Sequence, residues 1–151
     1  MTTVPGATER DWTDPTCPVA RTLDLVGDRW SLLIVRDAID GATAFTDFQR
    51  RTGIARNVLT DRLGRLVELG VLERQTAPSG RRQHSALTPA GRDLFVVVVA
   101  LRQWGEVHAF APDEPRSVLV DAHGTPVPEL RPLDTNGDRV DLHSTSVHGP
   151  A

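Results

Sequence analysis

The stretch AFTDFQRRTGIARNVLTDRLGRLVELG, residues 44–70, predicts two helices joined by a tight turn. Thr46 is a candidate N-cap for the first helix, and the glutamine three residues later completes a capping box. Gly53 interrupts the helical pattern, because glycine adopts turn conformations at little steric cost. The second helix is predicted from about Ala55 to residue 69, with Gly70 just beyond its end.

The second of these helices has two faces of opposite character. Leu59, Leu63 and Leu66 recur at helical spacing and form an apolar face. The opposite face is polar and is flanked by arginines. A short helix, a turn with glycine and a polar-faced helix form the helix-turn-helix plan, in which the second helix enters the DNA major groove. The side chains expected to contact DNA are Arg56, Asn57, Thr60, Asp61 and Arg65, with Arg50 and Arg51 of the first helix.

A two-stranded hairpin is predicted directly after this helix. Residues 71–76 and 81–87 have strand character and flank a Pro-Ser-Gly turn. Such a hairpin is a wing, and Arg81 and Arg82 at its tip suit contacts with phosphates or the minor groove. In residues 50–82, eight arginines stand against three acidic residues, a local net charge of +5 in a chain of net charge −3. An acidic total does not exclude DNA binding, since the basic surface of such proteins is local.

Further helices are predicted on both sides of this segment. One begins near Thr16, a candidate cap, and ends at Gly27, and another covers residues 30–40. After the wing, one long helix is predicted over residues 88–110. Its middle, residues 94–101, is apolar on every side, and one small domain cannot cover such a helix completely. We therefore expect a second chain to cover it.

Composition and charge divide the chain into three parts. Residues 1–13 are polar and are expected to form a flexible N-terminus. Residues 14–110 are the expected DNA-binding and dimerisation domain. Residues 111–151 carry seven acidic residues against three arginines and are expected to form a linker and a small β-hairpin appendage with a loose end. The dipeptide Asn136-Gly137 is a strong hairpin turn signal there, and we find no internal repeat.

The composition also argues against several classes of protein. No stretch approaches the roughly 18 apolar residues of a transmembrane helix, and the N-terminus has no apolar region typical of a secretion signal. Cys17 is the only cysteine, so no disulfide can form within the chain, and a cytoplasmic location is expected. The histidines show no metal-binding spacing and no catalytic constellation is present. We expect no enzyme activity, no cofactor, no metal and no membrane partner.

Seven short motifs stand in order: CP at 17–18, GDRWSLLI at 27–34, FTDF at 45–48, GI at 53–54, LTDRL at 59–63, LTPAG at 87–91 and WG at 104–105. Together they resemble the HxlR family of bacterial winged-helix transcription regulators, which are relatives of the MarR type. The resemblance implies a fold that is mainly α with a small β wing. It also implies a homodimer built from the N-terminal helix and the long C-terminal helix. The expected interface residues are Val19, Leu23, Leu94, Val97, Val98, Leu101, Trp104 and His108.

The chain departs from the family pattern at three positions. The family usually has serine where Ala55 stands, so the cap of the second helix is expected to be weaker. A basic residue is common at the position of Gly64, where glycine would allow the backbone to approach DNA closely. Ser85 stands where tyrosine is usual, so looser packing under the wing is expected.

Three interpretations remain open. The arginines would form an ordinary solvated surface in another context, but the helix-turn-helix favours DNA contact. Asp61 would repel phosphate, and it is expected either to orient Arg65 or to accept a hydrogen bond from cytosine. Cys17 is either a partly buried small residue or a redox sensor, as in some relatives. The helix dipole and Arg21 would favour its thiolate.

The sequence as a whole predicts a cytoplasmic, homodimeric, sequence-specific transcription regulator, more specifically a repressor. Its expected partner is a near-palindromic operator in double-stranded DNA, and its expected signal is an oxidant or a small-molecule effector. The alternative is a winged-helix module for protein–protein interaction without specific DNA binding.

Overall fold

The computed structural model describes residues 3–6 and 10–150. Among these residues the chain forms six helices and one two-stranded antiparallel sheet, which confirms the predicted class, mainly α with a small β wing. The chain divides into two compact units, Met1–Val98 and Val99–Ala151. The elements are α1 (Pro18–Val26), α2 (Ser31–Ile39), α3 (Phe45–Thr52), α4 (Arg56–Glu68), β1 (Leu72–Thr76), β2 (Gln83–Leu87), α5 (Pro89–Asp93) and α6 (Phe95–His108).

The segment predicted to be flexible, residues 1–13, is described only in part. Residues 1–2 and 7–9 lie outside the described residues. At the end of the segment, the main-chain N–H and the hydroxyl of Thr13 donate to the carboxylate of Asp24 over 2.9 and 2.7 Å. These two bonds tie residue 13 to α1, and they lower the pKa of Asp24 because both favour the charged carboxylate.

Helix α1 begins with a cap that differs from the predicted one. Its N-cap is Cys17, with Pro18 at the first helical position, and not Thr16. The main-chain N–H and hydroxyl of Thr16 both donate to the carboxylate of Asp14 over 3.1 Å, so Thr16 is engaged outside the helix. Gly27 ends the helix as predicted.

The N-cap of α3 also differs from the predicted one and lies two residues before Thr46. Ala44 takes the N-cap position, so Thr46 lies inside the first turn. The main-chain N–H of Ala44 donates to the carboxylate of Asp47 over 3.2 Å. Asp47 is thus the N3 residue whose side chain accepts the N–H of the N-cap residue in a capping box. The sequence assigned this role to a glutamine two residues later.

The hydrophobic core lies where α2, α3, α4 and β1 meet. Ile34, Phe48, Leu59, Leu66 and Leu72 are at most 1% exposed. All three leucines that the helical spacing placed on one face of α4 are buried, so they form the inner face of this helix. The polar side of α4 is consequently turned away from this core.

The junction between α4 and the wing is fixed by main-chain contacts. Gly70 has a φ of 69°, and the N–H of Val71 donates to the carbonyl of Leu66 over 2.9 Å, which closes α4 with a Schellman motif. The hydroxyl of Thr88, the N-cap of α5, donates to the carbonyl of Gly70 over 2.5 Å. A Cβ atom on Gly91 would lie 2.1 Å from the carbonyl oxygen of Val71, so only glycine allows α5 to pack this closely.

The long helix predicted over residues 88–110 is in fact two helices. Thr88 and Pro89 start α5 as predicted, but α5 ends at Asp93. The N–H of Leu94 donates to the carbonyl of Gly91 over 3.2 Å, three residues back, and this tighter turn separates α5 from α6. The valine-rich segment is helical nonetheless, and α6 continues to His108.

The unit Val99–Ala151 contains two similar turns in place of the predicted hairpin strands. Each turn has one isolated β-bridge, Val120 with Pro126 and Leu133 with Arg139. The carboxylate of Asp121 accepts the N–H groups two and four residues ahead, at 2.8 and 3.0 Å, and that of Asp134 does the same at 2.8 and 3.0 Å. A repeat of thirteen residues is therefore present in the hydrogen bonds, although the sequence analysis found none.

Candidate nucleic-acid interface

The turn between α3 and α4 is fixed by Gly53 and its neighbours. Gly53 has a φ of 68°, which favours glycine, and its N–H donates to the carbonyl of Gln49 over 2.9 Å. The hydroxyl of Thr52 donates to the carbonyl of Phe48 over 2.7 Å and accepts the N–H of Ile54. Ile54 is 3% exposed. The turn is thus anchored in the core, and α4 starts from a defined position.

The outward face of α4 carries the predicted polar side chains together. Asn57, Thr60 and Asp61 are exposed on successive turns, and Arg56 is exposed at the first helical position. The hydroxyl of Thr60 donates to the carbonyl of Arg56 over 2.9 Å. Ala55 provides no side-chain cap, as the sequence indicated, so the N–H groups in the first turn of α4 receive no hydrogen bond from the residue at its N-cap. Amide and hydroxyl groups in this arrangement suit the edges of bases in a major groove.

Three arginines at the start of this face have weak local partners. Arg50 lies 3.3 Å from the carboxylate of Asp47, and Arg51 lies 3.2 Å from that of Asp40. The guanidinium of Arg56 lies over the ring of Phe45, 5.0 Å from its centroid. Exposed pairs of this kind contribute about 0–1 kcal/mol, so these cations are available to phosphates at little cost.

Two other arginines of α4 are turned toward the protein. Nη2 of Arg65 donates to the main-chain carbonyl of Asp24 over 3.1 Å. Arg62 lies 3.7 Å from the carboxylate of Asp28, and both side chains are less than one third exposed, at 29% and 27%. The structure therefore separates Arg65 from the outward face, and no ion pair between Asp61 and Arg65 occurs among the described residues.

Asp28 joins α2 to α4. Its carboxylate accepts the N–H groups of Trp30 and Ser31, both over 3.1 Å, and the hydroxyl of Ser31 over 2.5 Å. Burial alone would raise the pKa of Asp28, but these hydrogen bonds and the charge of Arg62 outweigh it and lower the pKa. Asp28 therefore stays charged and holds the start of α2 beside α4.

The wing places its arginines as the sequence predicted and adds one more. Arg81 and Arg82 lie in the exposed loop between β1 and β2, and neither side chain has a partner among residues 3–6 and 10–150. Arg74 of β1, which the sequence analysis did not select, is also exposed. Its Nη2 lies 4.0 Å from the position that a Cβ atom on Gly64 would occupy. The available signal was its spacing from Leu72, because residues two apart in a strand lie on the same side.

Cys17 lies at the N-terminus of α1. Its Sγ accepts the N–H of Ala20 at 3.5 Å, and the residue is partly exposed. The guanidinium of Arg21 lies over the ring of Trp12, 4.8 Å from the centroid.

The predicted dimer-interface residues fall into two groups. Val19 and Leu23 of α1 are 66% and 59% exposed, and Leu101 and Trp104 of α6 are 53% and 65% exposed. Val97 and His108 are also exposed. In contrast, Leu94 and Val98 pack against the core of their own chain.

Other kinds of site have no support in the described part of the chain. Residues 3–6 and 10–150 contain no group of three His, Cys, Asp or Glu side chains that could hold a metal ion. None of the helices they form is long and apolar enough to cross a membrane.

The profile of the family described as HxlR-like helix-turn-helix matches residues 25–112. The chain belongs to this HxlR-like family. The match covers α2 to α6, which contain the turn at Gly53, the outward face of α4 and the wing.

Three known proteins are similar to this HxlR-like chain. An uncharacterised HTH-type transcriptional regulator of Mycobacterium tuberculosis (strain CDC 1551) is 46% identical over 98 residues, which are 64% of this chain and 62% of the relative. The chain thus spans less than two thirds of that relative's length. The crystal structure of PA1607, a proposed transcription factor, is 49% identical and has a TM-score of 0.85 over 87% of this chain and 94% of that one. The redox regulator HypR in its reduced form is 30% identical, with a TM-score of 0.57 over 62% of this chain and 94% of HypR.

Proposed function

We propose that this HxlR-like protein is a cytoplasmic transcription regulator that binds a specific operator in double-stranded DNA. The observation that carries the proposal is the outward face of α4. Buried leucines fix the inner side of the helix, which leaves Arg56, Asn57, Thr60 and Asp61 exposed together. Arginines of α3 and of the wing flank this face, where they would meet the phosphates on either side of the groove. The name of the M. tuberculosis relative supports the same function.

The protein is proposed to act as a homodimer. The exposed apolar side chains of α1 and α6 support this, because monomeric proteins rarely leave large apolar surfaces in water. A two-fold dimer would present its two α4 helices about 34 Å apart, one DNA turn, so the operator would be a near-palindrome. A dimer covering such a site would act most simply as a repressor, by excluding RNA polymerase.

A gel shift with DNA from upstream of the protein's own operon tests this function. We expect a specific shift at moderate salt that competing unrelated DNA does not abolish. Asn57→Ala should cost about 1–3 kcal/mol and relax preference at one base pair, whereas Arg81→Ala should weaken binding evenly across sequences. Gln75→Ala, on the outer side of β1, is the matched control. Saturating protein without a specific shift would favour the alternative, a winged-helix module for protein–protein interaction.

The signal is proposed to be an oxidant acting at Cys17. Its position at the N-terminus of α1 and the described role of HypR as a redox regulator support this route. With one cysteine per chain, a protein disulfide has to join two subunits. Such a bond would move α1 and change the spacing of the two α4 helices.

Diamide treatment followed by a non-reducing gel and a gel shift tests the redox route, with Cys17→Ser in parallel. Loss of DNA binding in the wild type but not in the variant would support it. Equal responses in the wild type and in Cys17→Ser would mean that Cys17 is only a small packed residue. A small apolar ligand between the dimerisation helices would then be the better explanation of regulation.

A further inference from the structure

The outward face of α4 lacks a side chain at one position. Asn57, Thr60 and Asp61 are followed on the same face by Gly64, three to four residues further along the helix. Glycine in the interior of a helix costs about 1 kcal/mol relative to alanine. No charged side chain of α4 itself therefore occupies the third turn of this face.

A cation from the neighbouring strand reaches this gap. In β1, Leu72 is buried in the core, and Arg74 lies on the same side of the strand two residues on. Strand β1 packs beside α4, so this side of the strand faces the helix. Nη2 of Arg74 comes within 4.0 Å of where a Cβ atom on Gly64 would be. Nη2 of the guanidinium is thus within van der Waals distance of the position where a side chain at residue 64 would begin.

Arg74 has no competing partner in the part of the chain that the structure describes. The nearest acidic residue on the strand, Glu73, lies on its opposite side and accepts a hydrogen bond from Gln75 over 2.9 Å. Arg62 and Arg65, by contrast, are held by groups of the protein. An exposed guanidinium without a partner in the described residues, beside the outward face of α4, is well placed to receive an anion.

We propose that Arg74, laid across Gly64, binds a DNA backbone phosphate and sets the depth of the C-terminal half of α4 in the major groove. A phosphate and not a base is the expected contact, because residue 64 lies in the third turn of α4, away from its N-terminal end. The wing and α4 would then meet at one phosphate. The wing supplies the guanidinium of Arg74, and Gly64 of α4 leaves room for it. This inference rests on the proposed DNA-binding function.

The test compares the operator affinity of the wild type and variants over a range of salt concentrations. Arg74→Ala should weaken binding about tenfold or more, the effect expected for a lost charge-assisted hydrogen bond. It should also reduce the slope of log K against log salt by about 1 for each bound subunit, and weaken specific and unrelated DNA alike. Arg92→Ala removes an exposed arginine of α5 and is the charge-matched control, with little change expected.

A second pair of variants tests the role of Gly64. Gly64→Ala should keep affinity within about twofold, because a Cβ at 4.0 Å makes only ordinary contact with the guanidinium. In the Arg74→Ala background, Gly64→Lys should restore both affinity and salt slope, because it places a cation at the same point. Circular dichroism and thermal melting confirm that each variant is folded.

The two hypotheses fail in different ways. If the wild type shows a specific shift but Arg74→Ala matches it in affinity and salt slope, the role of Arg74 is wrong and the proposed function stands. Failure of the lysine to rescue a weakened Arg74→Ala variant also overturns the placement over Gly64. If the wild type itself binds no DNA specifically, both proposals fall.

Discussion

Arg65 of α4 donates to the main-chain carbonyl of Asp24, forty-one residues earlier, over 3.1 Å. The acceptor lies in the last turn of α1, where helical carbonyls lack partners and a cation is favourable. Nε of Arg65 is buried, with no hydrogen-bond partner among the described residues. The sequence placed this arginine among the DNA contacts, whereas its geometry makes it a link between α1 and α4.

Arg65→Ala should therefore lower stability. Loss of a hydrogen bond from a charged donor should reduce the free energy of unfolding by about 1.5–3 kcal/mol, measured by urea denaturation. Arg56→Ala is the matched control on the same helix, and a loss of no more than about 1 kcal/mol is expected because Arg56 is exposed and only stacks on Phe45. Unchanged stability of Arg65→Ala together with weaker DNA binding would show that the side chain serves DNA instead.

The lowered pKa of Asp28 predicts a pH dependence of stability. Because its pKa is lower in the folded chain than the unfolded value of about 3.9, its contribution is present above that value and is lost as pH falls through the folded pKa. Asp28→Asn should cost about 1 kcal/mol at pH 7 and should flatten the fall in unfolding free energy between about pH 5 and pH 3. Asp93→Asn, at an exposed carboxylate of α5, should leave the wild-type slope. Parallel slopes in the wild type and Asp28→Asn would refute the role of Asp28.

Two helical glycines should respond oppositely to alanine. Gly91→Ala would force a Cβ against the carbonyl of Val71 and should destabilise the fold by about 1–3 kcal/mol or more. In Gly105→Ala the new Cβ meets nothing within 4 Å, so the higher helix propensity of alanine should raise stability by up to about 1 kcal/mol. Thermal melting of the two variants beside the wild type measures both. A neutral Gly91→Ala would mean that α5 can move away from Val71 at no cost.

The exposed Trp104 should be central to self-association. Trp104→Ala should cost about 2 kcal/mol or more, a roughly 30-fold weaker dimer, as for aromatic residues at the centre of an interface. Sedimentation velocity over a range of concentrations measures the shift. Leu142→Ala, at a side chain that is 79% exposed in the other part of the same unit, should leave association unchanged. A wild type that sediments as a monomer at micromolar concentration would contradict the homodimer.

Local patterns were enough to predict part of this fold. The limits of α4 follow from the spacing of its leucines and from Gly70, and the wing follows from two short strands around a Pro-Ser-Gly turn. Both depend on interactions between residues close in sequence. The N-caps of α1 and α3 were misplaced by one and two residues, because Cys17 accepts the first-turn N–H of α1 and Asp47 satisfies the N–H of Ala44 without a capping side chain at residue 44.

Other features depend on distant packing and could not be predicted this way. The direction of Arg65 is decided by a carbonyl on α1, and that of Arg74 by how β1 lies against α4. The helical pattern places Arg65 at the edge of the polar face, where either direction is compatible with its neighbours. The close approach of Gly91 to Val71 likewise joins residues twenty positions apart, so the periodicity of residues 88–110 did not reveal it.

The two turns at Asp121 and Asp134 are expected to fold independently of each other. Each turn closes all its hydrogen bonds within nine residues, from Leu119 to Val127 and from Pro132 to Val140. Loops this short lose little entropy on closure, so each can form and open without the other. Amide hydrogens of the two turns should exchange with solvent as separate, rapidly opening units, while those of the core exchange only on global unfolding. Deleting or duplicating one thirteen-residue turn would then alter the length of this segment and leave the remaining turn intact.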